Sequence, residues 1–234
     1  MRMDILVVCG AAAAATALSY PPIRAIPERD PEIEAKARTR AGWAVRLALL
    51  ALIYSVSFTA LYLEQGIGPY FLMAAPLFAI LTVASFIDAD YLIIPNGLVI
   101  ACLAPAAAAF AHNVAEPAGR FLHAWWGPFL GLIPGTAFLL AVYAVGRILL
   151  RKEGMMGMGD IKLFMPLGLF AGLALTFMTL FVSCVLGSAY QLALIAAGRR
   201  TRRDPIPFAP FITAGFMVSC VYGERIIDMY LRLY

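Results

Sequence analysis

Two aspartates in this chain stand where a carboxylate is costly. Asp160 follows Met156-Gly157-Met158-Gly159 and opens a long apolar run, Ile161 to Ala197, in which Lys162 is the only charge. Asp88 closes another apolar run, in Phe86-Ile87-Asp88-Ala89-Asp90. An ionised side chain at the edge of hydrocarbon is expensive and usually marks a site. Two carboxyl groups held close share one proton, because like charges a few ångström apart cannot both ionise. One then acts as base on a water and the other as acid to a substrate carbonyl, with titration belonging to the pair. That is peptide hydrolysis without serine, cysteine or metal. Gly157 and Gly159 let main chain come close to whatever binds there.

A plainer role exists for Asp160: Asp is a good helix cap and its charge suits the positive end of the helix dipole. The second aspartate decides between the two if both lie on one membrane face. Asp90 is two positions from Asp88, so on a continuous helix it points about 200° away and is the weaker candidate. Pro95 and Asn96, in Ile94-Pro95-Asn96, break one helix and start the next or shape the site. Lys162 pairs with a carboxylate or a lipid phosphate, or snorkels to the interface. Glu153 reads as a loop charge balancing Lys152.

The elements that must position these residues follow from composition. With 62% hydrophobic and 14% charged residues and a mean hydropathy of +0.84, the chain is too apolar for an ordinary soluble domain. It reads as an all-α polytopic membrane protein, one domain over residues 1–234. Runs long enough to span hydrocarbon fall at about 3–23, 43–63, 69–87, 97–112, 127–149, 161–175, 177–197 and 207–223, which makes about eight transmembrane helices. The first is expected to be a retained helix, since its charged n-region is thin, with Arg2 offset by Asp4. Residues 24–42 form the one sizeable polar loop, with charges of both signs, expected as a solvated turn plus a short amphipathic helix. The tail from Glu224 to Tyr234 suits an interfacial helix.

Orientation follows from the basic residues. Fourteen of the 18 Lys and Arg fall in or beside the first loop, the connection before Asp160 and the loop Arg199 to Arg203, which puts those loops in the cytoplasm. The connection holding Asp88 and Asp90 lies on that side too, so Asp88 and Asp160, 72 residues apart, share a face. The net charge of +4 is explained by this topology. Nucleic acid is not an expected partner, whereas the lipid bilayer and its anionic headgroups are. Cys9, Cys102, Cys184 and Cys220 lie in apolar segments without Cys-x-x-Cys spacing, so neither zinc nor a disulfide framework is expected. His112 and His123 flank the far end of the fourth segment as interface residues.

The pair Ile87-Asp88 with Ile94-Pro95-Asn96, and Glu153 followed by Met156-Gly157-Met158-Gly159-Asp160-Ile161-Lys162-Leu163, resembles the type IV prepilin peptidases, intramembrane aspartic proteases of the Gly-x-Gly-Asp class. Ile206-Pro207-Phe208-Ala209-Pro210-Phe211 resembles a third element of that family. The resemblance runs from about Leu81 to the C-terminus. It implies that Asp88 and Asp160 are the catalytic pair, with Gly157, Gly159, Lys162, Pro95 and Asn96 shaping the site. It also implies a bacterial inner-membrane enzyme that cuts prepilin or pseudopilin precursors after a glycine on the cytoplasmic side. Larger family members carry two Cys-x-x-Cys pairs in the first loop and are associated with N-methylation using S-adenosylmethionine. The loop 24–42 has no cysteine, so peptidase activity without a cofactor is expected and methylation is in doubt. An ion-coupled transporter and a non-catalytic subunit of a pilus or secretion assembly are the alternative readings. The absence of an inverted repeat counts against the first and the presence of both aspartates against the second.

Overall fold

The computed structural model describes residues 2–25, 40–115, 127–148, 157–201 and 204–232. Seven helices account for nearly all of them: α1 (Arg2–Ala25), α2 (Arg40–Gln65), α3 (Pro69–Tyr91), α4 (Asn96–Ala115), α5 (Gly127–Ile148), α6 (Met158–Ala196) and α7 (Ala209–Arg232). There is no strand among the described residues. Five helices are long and apolar enough to cross a membrane, namely α1, α2, α3, α4 and α6, and α5 contributes a shorter apolar stretch. Leu6, Leu63, Leu72, Phe181 and Leu192 are each more than 60% exposed, a surface that suits lipid and not water.

The centre of the bundle is α3, of whose most apolar stretch 61% is buried, against 22–44% in the other four long helices. Phe78 of α3 stacks on Phe216 of α7 at 5.4 Å between centroids, and Phe216 meets Phe170 of α6 edge-on at 5.7 Å. Tyr54 of α2, wholly buried, hydrogen-bonds Ser19 of α1 at 2.6 Å and donates to the Ala79 carbonyl of α3 at 3.1 Å. Lipid offers helices little hydrophobic incentive to associate, so close packing and such hydroxyl bonds must hold them.

Segments expected at 161–175 and 177–197 fall within the single run α6, broken at Gly172, whose φ of 72° and ψ of −175° lie outside helical space. The run folds back there. Along a straight helix Asp160 and Gly187 would be about 40 Å apart, yet a side chain at Gly187 would meet the Phe208 ring at 3.4 Å. Phe208 adjoins Ala209, whose amide reaches Asp88, and Asp88 is within electrostatic range of Asp160. The first arm, 158–171, packs on α5 through glycines: a methyl on Gly131 would lie 2.3 Å from the Gly168 carbonyl oxygen, and one on Gly168 2.2 Å from that of Gly131. The second arm, 173–196, packs on α7, where Gly215 abuts Ser183 and Thr179 and Gly223 abuts Leu175.

Two expectations are corrected. The tail is no separate interfacial helix as far as Arg232, because α7 runs on through Glu224, and Arg225 bonds Glu64 at the end of α2 at 2.8 Å. The segment boundary sought near 175–177 lies at Gly172, since it is the glycine-only backbone angle that turns the chain. Most of the loop 24–42, His123 and Glu153 lie outside the described residues.

Candidate active site

Asp88 sits in the last turn of α3, the end of a helix at which carbonyl groups repel a negative charge. Its main-chain carbonyl takes the Leu92 amide at 2.8 Å, closing the helix with Leu92 in the left-handed region at φ 55°. Its carboxylate is 121 residues from its partner: Oδ2 accepts the Ala209 amide at 2.9 Å. That amide opens α7. The positive end of one helix thus answers the negative end of another, and Asp88 is only 5% exposed.

The segment Ile206 to Phe211 is built for this. Pro210 in the first turn lacks an amide but loses no helical bond there, while the Phe208 carbonyl takes the amides of Phe211 and Ile212 at 3.0 and 3.1 Å. A methyl on Gly187 would touch both the Phe208 and Phe211 rings at 3.4 Å, so the second arm of α6 holds this turn in place. The role of Ala209 as an amide donor was not legible beforehand. Two prolines flanking the start of an apolar run were the available signal.

Asp160 is the third residue of α6. Gly157, extended at φ −70° and ψ 128°, occupies the cap position, which corrects the reading of Asp160 as the cap itself. The Asp160 amide bonds the Gly157 carbonyl at 3.2 Å. A methyl on Gly157 would lie 2.9 Å from Asp160 Oδ2. The other oxygen, Oδ1, is buried with no hydrogen-bond partner among the described residues, in a side chain 7% exposed. An unsatisfied buried carboxylate oxygen is rare enough to need a purpose. Asp88 and Asp160 are close enough to interact electrostatically.

Around the pair, a methyl on Gly159 would lie 2.9 Å from Ile94 Cβ, so this glycine lets the α3–α4 turn press on the start of α6. Pro95 lies on that turn, and its carbonyl takes the Leu98 amide at 3.0 Å. Asn96 begins α4. Its Oδ1 accepts Lys162 Nζ at 3.0 Å on the exposed rim. Gly157 and Lys162 are exposed beside the buried Asp160.

Asp90 is turned away from the pair and forked by Arg46 of α2, Nη1 to Oδ2 at 2.5 Å and Nη2 to Oδ1 at 2.8 Å. Arg46 is therefore more than a marker of topology. It fixes α2 to the end of α3. No group of three or more His, Cys, Asp or Glu among the described residues could hold a metal ion.

The family model described as type IV leader peptidase matches residues 75–192, which include both aspartates. A prepilin leader peptidase/N-methyltransferase of Bacillus subtilis is 31% identical over 182 residues, covering 78% of this chain and 68% of that protein. Proteins of the same name from Stutzerimonas stutzeri and Aeromonas hydrophila are each 28% identical, over 63% and 78% of this chain and 48% and 59% of their own lengths. The chain thus spans roughly half to two thirds of these relatives. No solved structure matches it.

Proposed function

The chain belongs to the type IV leader peptidase family, and on that premise we propose that it is a membrane aspartic endopeptidase that removes the leader from type IV prepilin or pseudopilin precursors by cutting after a glycine. The observation that carries this is a pair of buried carboxyl groups from different helices, close enough to interact electrostatically beside an exposed rim, one with an oxygen left unbonded. One carboxylate takes a proton from water, the oxygen attacks the scissile carbonyl, and the partner carboxyl gives its proton to the carbonyl oxygen. Collapse of the tetrahedral adduct breaks the C–N bond as a proton passes to the leaving nitrogen. Only water is consumed.

The two arms of α6 count as two crossings in this reading, which with α1 to α5 and α7 makes eight, the site facing the cytoplasm of a bacterial inner membrane. The basic loops support that orientation. Single cysteines introduced near Asp90 and Thr201, in a chain freed of its own four, are expected to react with a reagent supplied from the cytoplasm. Reaction from opposite sides would separate the two ends of the site and refute the arrangement. The family assignment sets the transporter reading aside.

The decisive assay mixes purified protein with a type IV prepilin and follows the shortened product. Mass spectrometry of the new N-terminus, with S-adenosylmethionine supplied, tests the companion proposal that this chain cleaves without methylating. A methyl increment that needs only this protein would overturn it.

A further inference from the structure

One turn beneath the Asp88–Ala209 bond, α3 and α7 are tied a second time. Ser85, three residues before Asp88, and Thr213, four after Ala209, lie on the faces their neighbours use. Their hydroxyls are 2.7 Å apart. Both side chains are buried, 7% and 9% exposed. Ser85 Oγ also lies 2.8 Å from the Leu81 carbonyl, and Thr213 Oγ1 lies 3.0 Å from the Ala209 carbonyl and 3.3 Å from that of Leu81. Two hydroxyls carry two protons. Whichever one donates to the other, the remaining proton has a carbonyl to go to, so the group is satisfied in either arrangement.

Other buried hydroxyls on α3, α6 and α7 behave differently. Thr82, Thr179, Ser183 and Ser219 each donate to the carbonyl four residues back on their own helix. Such bonds tie no two helices together. The Ser85–Thr213 bond crosses from the helix carrying Asp88 to the helix whose amide holds it, and Thr213 grips the carbonyl of the very residue that donates, Ala209.

Resting on the dyad reading above, we infer that Ser85 and Thr213 are positioning residues: their bond sets the register of α7 against α3 and so fixes where the Ala209 amide meets Asp88. Neither touches the reacting atoms. Their effect is on kcat, because a carboxylate displaced from its amide donor meets substrate in the wrong place, and a 1 Å error can cost roughly 100-fold.

The test measures prepilin cleavage, folding and amide exchange in the full chain. Ser85→Ala and Thr213→Val are expected to lower kcat about tenfold while KM changes less than about twofold. The Ala209 amide should exchange faster, and the double variant should be little worse than either single one, since one bond is lost in each case. Thr213→Ser keeps the hydroxyl and should restore kcat. Ser219→Ala, equally buried, should leave kcat unchanged. If Thr213→Val does not accumulate, Ser85→Ala decides alone, as it removes a single oxygen. Wild-type kcat in Ser85→Ala, no recovery in Thr213→Ser, or an equal loss in Ser219→Ala overturns the inference. An active Asp88→Asn enzyme would instead remove the dyad reading beneath it.

Discussion

Asp160 and Asp88 reach the same site by opposite means. Asp160 opens its helix against Gly157, three residues back, whose missing side chain leaves room for its carboxylate. Asp88 closes its helix, faces the wrong end of that helix's dipole, and depends on an amide from a helix that begins 121 residues later. One half of the site is local and the other is tertiary. The local half is vulnerable to a single added methyl. The tertiary half fails when helices shift.

The sharpest way to test this pairing is to remove its protons. Asp88→Asn and Asp160→Asn are each expected to lower cleavage by a factor on the order of 10³ or more with the protein still inserted, and the double variant should be little worse. Asparagine keeps the shape of aspartate but cannot exchange a proton, so near-normal cleavage by Asp160→Asn would reduce Asp160 to a structural residue and dissolve the comparison.

Next come the supports of each half. Gly157→Ala forces the Asp160 carboxylate aside and should lower kcat by roughly 10- to 100-fold with little change in melting temperature. Ala209→Pro deletes the amide that Asp88 accepts at a position where helices tolerate proline. A bond to a charged group is worth about 1.5–3 kcal/mol, so a fall in kcat of similar size is expected. Unequal losses would show which half is the more rigidly built. Gly159→Ala meets Ile94 instead of a carboxylate, and its cost of about 1–3 kcal/mol should appear in thermal stability first.

The smallest effect belongs to Asp90. Asp90→Asn breaks the Arg46 fork between side chains that are 18% and 22% exposed, and should lower stability by about 1 kcal/mol while leaving cleavage within about threefold. Loss of cleavage in Asp90→Asn with retention in Asp88→Asn would move the tertiary half by two residues.

What the sequence made legible follows the same division. Gly157, Gly159 and Asp160 lie in one short string, so their joint role could be read from residue types alone. Asp88 could be placed on the right face from the charge bias of the loops. Its amide donor could not, because nothing in Ile206 to Phe211 says which carboxylate it will meet. Arg46 looked like one more interfacial cation until α2 was laid beside α3. Gly172 is one glycine among several in an apolar run, and hydropathy, which averages over a window, put the turn a few residues too late. The expected loops at the far end of α4 and after α1 fall largely outside the described residues.

Chain order adds a consequence of the Asp88–Ala209 bond that belongs to time rather than space. Ala209 is made after Asp88 by 121 residues, which at 5–20 residues per second is an interval of roughly 6–24 s. Throughout it the Asp88 carboxylate lacks the donor that holds it, however well α3 has already packed. A nascent chain stalled short of α7 therefore carries both aspartates and half a site. Only α7, made after both aspartates, completes it.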